Sequence, residues 1–295
     1  MAKMIAALYG RSLETNKSEN ITRLFGKLSD AGIGLLVYKP FYDFIKDSVK
    51  IKGKFNLFSR HAEIDGKADV LISLGGDGTL LETLEFVKDT AIPVMGVNTG
   101  RLGFLSSIST EEINFAVDAL VKKKYVIDTR TMLVLDSKKK YFGDVNYALN
   151  DITISKSESS SMITTHVYLN NEFLNSYYAD GLIISTPTGS TAYSLSCGGP
   201  IVMPDSGNFI VTPVAPHNLN VRPIIISDDS ILKIKVECRE SRFLVTLDSR
   251  SMALERGSEF IVKKAGFNMN IVKLEDHNFL STLRNKLMWG LDKRT

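Results

Sequence analysis

One short stretch of the chain combines a single carboxylate with three glycines. Asp77 lies within Gly75-Gly76-Asp77-Gly78-Thr79. Glycine has no Cβ, so such a stretch allows a sharp turn and the close approach of a ligand. Backbone N–H groups presented by the turn suit phosphate oxygens. A carboxylate at such a site repels phosphate unless a metal ion or a substrate hydroxyl intervenes, so we interpret Asp77 as chemically active.

The residues on either side predict how this turn is positioned. Ala68 to Leu74 is an apolar run typical of a short buried strand, and Leu80 to Lys88 is typical of the start of a helix. A turn between a parallel strand and a helix faces the crevice at the carboxyl end of the strand. The structural alternative is an ordinary tight turn in which Asp77 caps the helix. The chain contains neither G-x-x-x-x-G-K-[ST] nor G-x-G-x-x-G.

The first hundred residues alternate strand-like and helix-like patterns. Strands are predicted at Met4–Tyr9, Ile33–Tyr38 and Pro93–Val97, with a helix at Asn20–Leu28. Residues 40–66 are less regular, and we expect a helix and a loop that cover the sheet edge. Such alternation is typical of a parallel sheet with right-handed crossovers, so the sequence predicts a Rossmann-like α/β domain.

The pattern changes after the helix that Ser109-Thr110-Glu111-Glu112 opens as a capping box and that runs to about Lys124. Short β-like runs follow, separated by Asn, Asp, Ser and Gly: Val126, Met132–Leu135, Ile152–Ile154, His166–Leu169, Gly181–Ile184, Ile224–Ile226, Ile231–Val236, Phe243–Leu247 and Glu259–Val262. They predict an all-β, sandwich-like second domain. Residues 279–290 are amphipathic and predict a helix that returns to the first domain. We therefore expect domains at 1–124 with 265–295, and at 125–264.

Two further stretches have the composition of ligand-binding loops. In Gly96–Leu105 the side chain best suited to contact a ligand is Asn98, although a loop that merely needs positive φ has the same composition. Tyr178–Pro200 is dense in hydroxyls and glycine beside one aromatic residue, Tyr193. Hydroxyls such as that of Thr188, an aromatic ring, and a carboxylate such as that of Asp180 suit a purine and a ribose, so we favour ligand binding here.

Composition restricts the remaining functions. The chain has 295 residues, 44% hydrophobic content and a net charge of +3. The lysine clusters 122–124 and 138–140 are typical of solvated element ends, so no nucleic-acid partner and no membrane association are expected. Two cysteines, Cys197 and Cys238, fit a reducing cytosol, and we expect a cytoplasmic protein. The four histidines have no metal-ligand spacing, so no resident metal site is predicted.

These motifs resemble those of a known family. Gly75–Thr79 resembles the signature shared by NAD kinases, diacylglycerol-type lipid kinases and phosphofructokinases, and Asp180–Pro200 resembles the long signature of NAD kinases. Other matching positions are Gly96–Leu105, Asn150-Asp151, Pro216–Leu219 with Arg222-Pro223, Asp248-Ser249 and Leu283–Gly290. The resemblance extends from about Asp69 to the C-terminus.

The resemblance implies transfer of the γ-phosphoryl group of ATP to the 2′-hydroxyl of the adenosine ribose of NAD, which gives NADP. It implies Asp77 as the proton acceptor and Mg²⁺, carried with ATP, as the neutralising cation. It also implies a homodimer or homotetramer. The substrate-binding positions that it implies are Gly76, Gly78 and Thr79 for phosphate, Asn150 and Asp151 for ribose hydroxyls or phosphate-side groups, Asp180, Thr191, Ala192, Tyr193, Ser194, Leu195 and Ser196 for the nucleoside, and Asp248 to Arg250 near the reacting ribose.

Three positions depart from the family pattern or need separate interpretation. Asp151 replaces a common glutamate, and Arg250 replaces a common glutamine. We expect Arg250 to alter the preference between NAD and NADH. Cys197 is interpreted as a packed thiol and not as a nucleophile. Two alternatives to an NAD kinase are a lipid kinase with the same glycine turn and an NAD-sensing binding module without turnover.

Overall fold

The computed structural model describes residues 4–11, 18–100, 102–157, 162–275 and 277–288. The chain divides into two compact units. The first unit consists of Met1–Thr129 together with Met269–Thr295, and the second is the continuous segment Arg130–Asn268. Among the described residues, no helix combines the length and the apolar character needed to cross a membrane.

The described residues of the first part of the chain form seven strands and five α-helices. The strands are β1 (Ile5–Gly10), β2 (Gly34–Tyr38), β3 (Phe55–Phe58), β4 (Val70–Leu74), β5 (Val94–Asn98), β6 (Ile108–Ser109) and β7 (Val126–Arg130). The helices are α1 (Ser18–Asp30), α2 (Lys39–Ile45), α3 (Asp77–Glu82), α4 (Leu84–Val87) and α5 (Ile113–Lys122).

The middle of the chain is almost entirely β-structure. Its strands are β8 (Leu133–Asp136), β9 (Tyr147–Ala148), β10 (Asp151–Lys156), β11 (Ile163–Leu169), β12 (Glu172–Ala179), β13 (Gly181–Ser185), β14 (Asn208–Val214), β15 (Ile224–Ser227), β16 (Leu232–Cys238), β17 (Arg242–Leu247), β18 (Arg250–Glu255) and β19 (Glu259–Lys264). One 3-10 turn (Thr188–Thr191) and the short helix α6 (Tyr193–Ser196) interrupt it. The chain then forms β20 (Met269–Lys273) and α7 (Phe279–Leu287).

The first unit is built on a sheet with the order β3-β2-β1-β4-β5-β20-β7, and β6 pairs with β5. β1 runs parallel to both β2 and β4, and β5 runs parallel to β4 and β20. Strands β4 and β5 are buried along their whole length, as expected for parallel strands covered on both faces. α1 buries Ile21, Leu24, Phe25 and Leu28, which recur at helical spacing on one face. The predicted Rossmann-like α/β domain is confirmed.

The second unit contains two six-stranded antiparallel sheets. Their orders are β15-β14-β13-β10-β17-β18 and β12-β11-β16-β19-β8-β9. Apolar side chains from both sheets share one buried cluster, which includes Ile152, Ile184, Phe209, Ile234 and Val245. Two sheets that bury their inner faces against each other form a sandwich, so the predicted sandwich-like domain is confirmed.

Three local predictions differ from the structure. Residues 40–66, predicted as a helix and a loop, also contain the edge strand β3, which pairs with β2 from Leu35 to Tyr38. The helix predicted from Leu80 begins at Asp77, because the turn itself adopts helical geometry, and Thr83 separates it into α3 and α4. The sequence predicts Val126 in the β-rich domain, but β7 belongs to the sheet of the first unit, where β20 is its neighbour.

The last described helix belongs to the first unit. The Asn278 side chain caps α7 by accepting a hydrogen bond from the backbone N–H of Ser281 at 2.8 Å. Leu283 is buried, and the ring of Phe279 lies 6.2 Å from that of Phe104. The predicted returning helix is therefore confirmed through Leu287. The end of the predicted helix, Trp289 and Gly290, lies outside the described residues.

Candidate functional site

The glycine turn after β4 is held by its own side chains and by the neighbouring strand. The Gly75 N–H donates to the carbonyl of Val97 at 3.0 Å. A Cβ at position 75 would lie 2.3 Å from the Thr79 hydroxyl, so this position requires glycine. A Cβ at Gly76 or Gly78 would have no described atom within 4 Å, and both residues are exposed. The turn is therefore closed toward the protein and open on the side of Gly76 and Gly78.

Backbone N–H groups of a second loop hold the Asp77 carboxylate. Its Oδ2 accepts from Phe104 at 2.8 Å, and its Oδ1 accepts from Leu105 at 3.0 Å and from Ser106 at 2.9 Å. A Cβ at Gly103 would lie 1.9 Å from Oδ1. The structure thus brings the two glycine-rich stretches singled out in the sequence into direct contact at Asp77.

A cation from α7 also reaches this carboxylate. The Lys286 ammonium lies 3.5 Å from Asp77 Oδ2 and 5.0 Å from the centre of the Phe104 ring. The two side chains of this ion pair remain 35% and 27% exposed, so solvent and ligands can reach them. Sequence analysis did not identify Lys286. The available signal was that the resemblance included the segment Leu283–Gly290, but no local pattern linked that segment to Asp77.

The buried residue Asn98 stabilises the second loop through hydrogen bonds of its side chain. Only 3% of the residue is exposed. The Asn98 Nδ2 donates to the carbonyl of Ser106 at 3.2 Å, and its Oδ1 accepts from the N–H of Gly100 at 2.7 Å. Asn98 therefore positions the residues whose N–H groups hold Asp77. The contact of Asn98 with a ligand stays a prediction.

In the second unit, Asp248 organises the segment that presents Asn150 and Asp151. Its carboxylate accepts from the N–H groups of Leu149 at 2.9 Å, Asn150 at 2.7 Å and Asp151 at 3.2 Å. Asp248 has a φ of +52°, and its own N–H donates to the carbonyl of Asp151 at 3.0 Å. These hydrogen bonds account for an acidic residue at position 248. Direct contact of Asp248 with a ribose stays a prediction.

Arg250 supports the same segment from β18. Its guanidinium donates to the carbonyls of Val145 and Tyr147, each at 2.5 Å. These bonds hold the chain immediately before Asn150. In the structure, Arg250 thus acts through the backbone that precedes the predicted ribose-binding residues, and its predicted place near the reacting ribose is untested.

Asp151 is a buried carboxyl. Only 6% of the residue is exposed, and Oδ1 accepts one hydrogen bond from the Thr153 hydroxyl at 2.8 Å. Burial raises the pKa of Asp151 to about 7, the Thr153 hydrogen bond opposes this, and the Asp248 charge adds to the increase. Burial also raises the pKa of Asp248, against the effect of its three N–H donors. The side chain of Asp151 is one methylene shorter than that of a glutamate, and it is buried within the second unit.

Most hydroxyls of the predicted nucleoside-binding loop are used within the loop. Residues 181–190 are all buried. The internal hydrogen bonds join Thr186 to the Leu149 carbonyl and the Gly189 N–H, Arg130 to Thr188, Ser190 to Val202, and Ser194 to Thr212. Sequence analysis missed Arg130, which is buried and lies next to this loop. Many hydroxyls that suggested a ligand therefore stabilise the loop itself.

Other predicted positions remain accessible at the surface of the second unit. Tyr193 and Ser196 are exposed, and Thr191, Ala192 and Leu195 are half-buried. The Asp180 carboxylate is half-buried and lies 2.7 Å from the Lys156 ammonium. A Cβ at Gly189 would lie 2.1 Å from the Asn150 carbonyl, so the loop and the Asn150–Asp151 segment adjoin. The second unit therefore gathers most of its predicted residues into one surface region.

Neither cysteine chemistry nor a resident metal cluster is evident in the described part of the chain. The Cys197 thiol is half-buried, and burial raises the pKa of that thiol, which fits a packed side chain. No group of three or more His, Cys, Asp or Glu side chains among the described residues is arranged to hold a metal ion.

Solved structures share this fold. A yeast NADH kinase complexed with NADH matches with a TM-score of 0.89 at 24% identity, over 99% of this chain and 89% of that chain. An NAD kinase from Archaeoglobus fulgidus in complex with ATP matches with a TM-score of 0.73 at 23% identity, over 97% of this chain and 98% of that chain. At these identities the similarity establishes the architecture.

Sequence comparisons establish the family. The family model of the ATP-NAD kinase N-terminal domain matches residues 38–125, and that of the C-terminal domain matches residues 149–274. Proteins named NAD kinase are 45% identical in Cytophaga hutchinsonii and 44% identical in Flavobacterium psychrophilum, and each alignment covers 99% of this chain and 100% of the relative. The NAD kinase of Bacteroides fragilis is 42% identical over 98% of this chain and 99% of its own length. The chain therefore belongs to the NAD kinase family of phosphotransferases.

Proposed function

We propose that the protein transfers the γ-phosphoryl group of ATP to the 2′-hydroxyl of the adenosine ribose of NAD, with NADP and ADP as products. The observation that carries this proposal is the environment of Asp77. One accessible carboxylate is held by three backbone N–H groups, next to glycines whose outer side is open. This arrangement suits an acid that must face a hydroxyl while phosphate oxygens approach the turn.

The hydrogen bonds of Asp77 support Oδ2 as the oxygen that takes the proton. A carboxylate offers about four lone-pair sites, two on each oxygen. Among the described residues, Oδ1 accepts two N–H groups, whereas Oδ2 accepts one N–H group and lies 3.5 Å from the Lys286 ammonium. Oδ2 is therefore the oxygen on which a substrate hydroxyl can replace a weak contact without breaking a backbone hydrogen bond.

The reaction needs alignment more than covalent participation of the protein. The bond from the ribose O2′ to the γ-phosphorus forms as the bond to the β-phosphate oxygen breaks, and ADP leaves with that electron pair. A ribose hydroxyl is too weak an acid to ionise beforehand, so Asp77 orients it and receives its proton late. Mg²⁺, carried with ATP, supplies charge neutralisation when bound. Gly76, Gly78 and Thr79 line the phosphate side of the turn.

NAD is assigned to the residues gathered in the second unit. Asn150 and Asp151 bind ribose hydroxyls or phosphate-side groups, and Asp180 with Thr191, Ala192, Tyr193, Leu195 and Ser196 binds the nucleoside. Thr188 and Ser194 shape that site from within, because their hydroxyls bond to Arg130 and Thr212. The internal contacts of Asp248 and Arg250 support this assignment by fixing the segment that carries Asn150 and Asp151. The names of the full-length relatives support NAD as the substrate.

Cellular location and assembly belong to the same proposal. A cytoplasmic homodimer or homotetramer without nucleic-acid or membrane partners follows from the family resemblance and from the mild net charge of +3. Light scattering of the purified protein measures the assembly directly.

The test is product formation from Mg-ATP and NAD, with NADP detected by an NADP-specific dehydrogenase. Asp77→Asn is expected to lower kcat by about 10²–10⁴-fold, because a positioned general base contributes on that scale. NAD binding, measured by calorimetry, should stay close to the wild-type value. A thermal unfolding curve for each variant shows whether the loop that holds position 77 is intact.

The control is Asp89→Asn, which removes an exposed carboxylate from the same unit. It should turn over at the wild-type rate. An Asp77→Asn variant with wild-type turnover removes Asp77 from its role, and NAD binding without any product from the wild-type protein favours a sensing module.

A further inference from the structure

The Lys286 ammonium lies beside the carboxylate that is proposed to take the proton. It is 3.5 Å from Asp77 Oδ2, the oxygen on which the substrate hydroxyl is proposed to bind. A hydroxyl that donates to Oδ2 therefore replaces the ammonium at that oxygen. The ammonium keeps its positive charge and can then contact another anion. The identity of that anion follows from what surrounds the turn.

The glycine turn lacks a cation of its own. Phosphoryl transfer uses Lys or Arg side chains, together with metal ions, to neutralise the charge of the transferring group. In P-loop proteins this lysine belongs to the glycine-rich loop itself. Residues 70–87, which include the turn and the elements on either side of it, contain neither Lys nor Arg, and the described residues of the loop after β5 add none. Lys286 supplies such a cation from α7.

The start of α7 is attached to the loop that holds Asp77. His277 Nε2 lies 2.9 Å from Glu112 Oε1, and His277 Nδ1 lies 3.4 Å from the Ser107 hydroxyl. The Phe104 ring packs near the first residue of α7, and the Phe104 N–H donates to Asp77 Oδ2. The same loop thus contacts both the helix and the carboxylate, so the position of α7 relative to Asp77 is fixed.

The side chain of Lys286 can reach a phosphoryl group at this place. A hydroxyl bonded to Oδ2 lies roughly 2.6–3.2 Å from it, and the phosphorus lies about 3–3.5 Å from the hydroxyl oxygen before their bond forms. The lysine stem is flexible, and the Lys286 side chain is 35% exposed, so it can rotate from Oδ2 toward the phosphoryl oxygens. The contact with the Phe104 ring, at 5.0 Å, leaves the N–H donors of the ammonium available for those oxygens.

We propose that Lys286 is a further catalytic residue, which leaves Asp77 when the ribose hydroxyl binds and contacts the oxygens of the transferring phosphoryl group. This role rests on the proposed kinase function. The ammonium keeps its protons: the bond from O2′ to the γ-phosphorus forms, the bond to the β-phosphate oxygen breaks with its electron pair on ADP, and Asp77 takes the hydroxyl proton. Because the contact forms as the phosphoryl group approaches the hydroxyl, it stabilises the transition state and not the bound nucleotide.

The kinetic test separates charge from hydrogen bonding at position 286. In Lys286→Gln the amide can still donate to Asp77, but the positive charge is lost. We expect kcat to fall by about 10²–10³-fold, as for the loss of one preorganised donor to developing charge, with KM values for ATP and NAD close to the wild-type values. Lys286→Arg keeps the charge and should stay within about tenfold of the wild-type kcat.

Lys27→Gln is the matched control. Lys27 is a helical lysine of the same unit, its side chain is 34% exposed, and it pairs with Asp118 at 2.8 Å. It should keep the wild-type kinetics. A wild-type kcat in Lys286→Gln, or equal losses in Lys286→Gln and Lys286→Arg, overturns the proposal, because a positive charge at position 286 would then have no effect on the reaction.

A binding test does not depend on turnover. Aluminium fluoride with Mg-ADP mimics a phosphoryl group during transfer, and transition-state analogues bind at least about 10²-fold more tightly than ground-state ligands. Calorimetry in the presence of NAD should show this increase for the wild type. Lys286→Gln should bind Mg-ADP alone with the wild-type affinity, which also shows that the variant is folded, and should lose most of the increase. A full increase in Lys286→Gln, or weaker binding of Mg-ADP alone, overturns the proposal.

The two tests separate the role of Lys286 from the kinase function. NADP formation by Lys286→Gln at the wild-type rate refutes the role and leaves the kinase function intact. A wild-type protein that forms no NADP refutes the kinase function. If its affinity for Mg-ADP with aluminium fluoride still depends on Lys286, the lysine serves phosphoryl transfer to a different acceptor.

Discussion

Asp77 and Asp151 are carboxyl groups in opposite environments. Asp77 is part-exposed and receives three backbone N–H groups and a nearby ammonium. Asp151 is buried, receives one hydroxyl, and lies in the field of Asp248. The second environment opposes negative charge, because burial raises the pKa of Asp151. The same residue type therefore serves an acceptor role at one position and carries an electrostatic cost at the other.

The cost at Asp151 predicts a pH dependence of stability. Its pKa is raised from 3.8 to about 7, so the folded protein binds more protons than the unfolded chain between these values. The free energy of unfolding therefore falls as the pH rises through this window. Asp151→Asn removes the ionisation and keeps an acceptor for Thr153. It should raise the free energy of unfolding at pH 8 by up to about 4 kcal/mol, with little effect near pH 4.

Urea denaturation at several pH values measures this difference. Asp229→Asn is the matched control, because Asp229 is an exposed acid of the same unit. It should leave the pH profile unchanged. A constant difference between Asp151→Asn and the wild type from pH 4 to pH 8 would show that ionisation of Asp151 is not the cause.

At the scale of elements, two loops from neighbouring parallel strands build the environment of Asp77. The turn after β4 carries the carboxylate, and the loop after β5 carries the N–H groups that hold it. Because β4 and β5 are parallel neighbours, both loops leave the same edge of the sheet. The loop needs glycine at 103 for the carboxylate to approach its backbone.

Gly103→Ala tests this contact. The new Cβ would lie 1.9 Å from Asp77 Oδ1, so the carboxylate or the loop must shift. Displacements of this order are expected to lower kcat by about 10²-fold, because positioning contributes strongly to phosphoryl transfer. Gly100→Ala is the control in the same loop, since the described atom that its Cβ would meet is Asn98 Oδ1, at an ordinary 3.8 Å. Equal kinetics for the two variants would argue against a role for the loop in holding Asp77.

At the scale of the whole molecule, the two units differ in the number of chain segments that form them. The second unit is the continuous segment Arg130–Asn268 and has its own apolar cluster. The first unit needs two separate segments, because β20 lies between β5 and β7 in its sheet. Val272 and Leu274 from the second of these segments are buried in the core of the first unit.

This organisation predicts different behaviour for fragments. The fragment 130–268 should fold alone and unfold cooperatively on heating, whereas the fragment 1–129 should lack a cooperative transition because β5 and β7 have lost their shared neighbour. Circular dichroism measures both transitions. Adding the peptide 269–295 to the fragment 1–129 should restore the transition, and a cooperative 1–129 without that peptide would contradict the assignment.

Much of the architecture was predictable because local patterns of apolar and polar residues indicate it. The strands β1, β2, β4 and β5 are apolar runs bounded by glycine or polar residues, and α1 repeats apolar residues at helical spacing. Strands β12 and β18 were missed because many of their residues are exposed or half-buried and so lack an apolar alternation. The short strands β3 and β9 were missed because four and two residues are too few to show a period.

The sequence by itself determined the α/β and all-β organisation, the glycine turn around Asp77 and the family resemblance, because each depends on residues close together in the chain. Only the tertiary structure decided what surrounds Asp77: the N–H groups of residues 104–106 and the Lys286 ammonium come from distant segments. It also decided that loop hydroxyls such as those of Thr186 and Ser194 bond within their own unit. Composition shows which groups can form hydrogen bonds, and the packing of distant segments selects their partners.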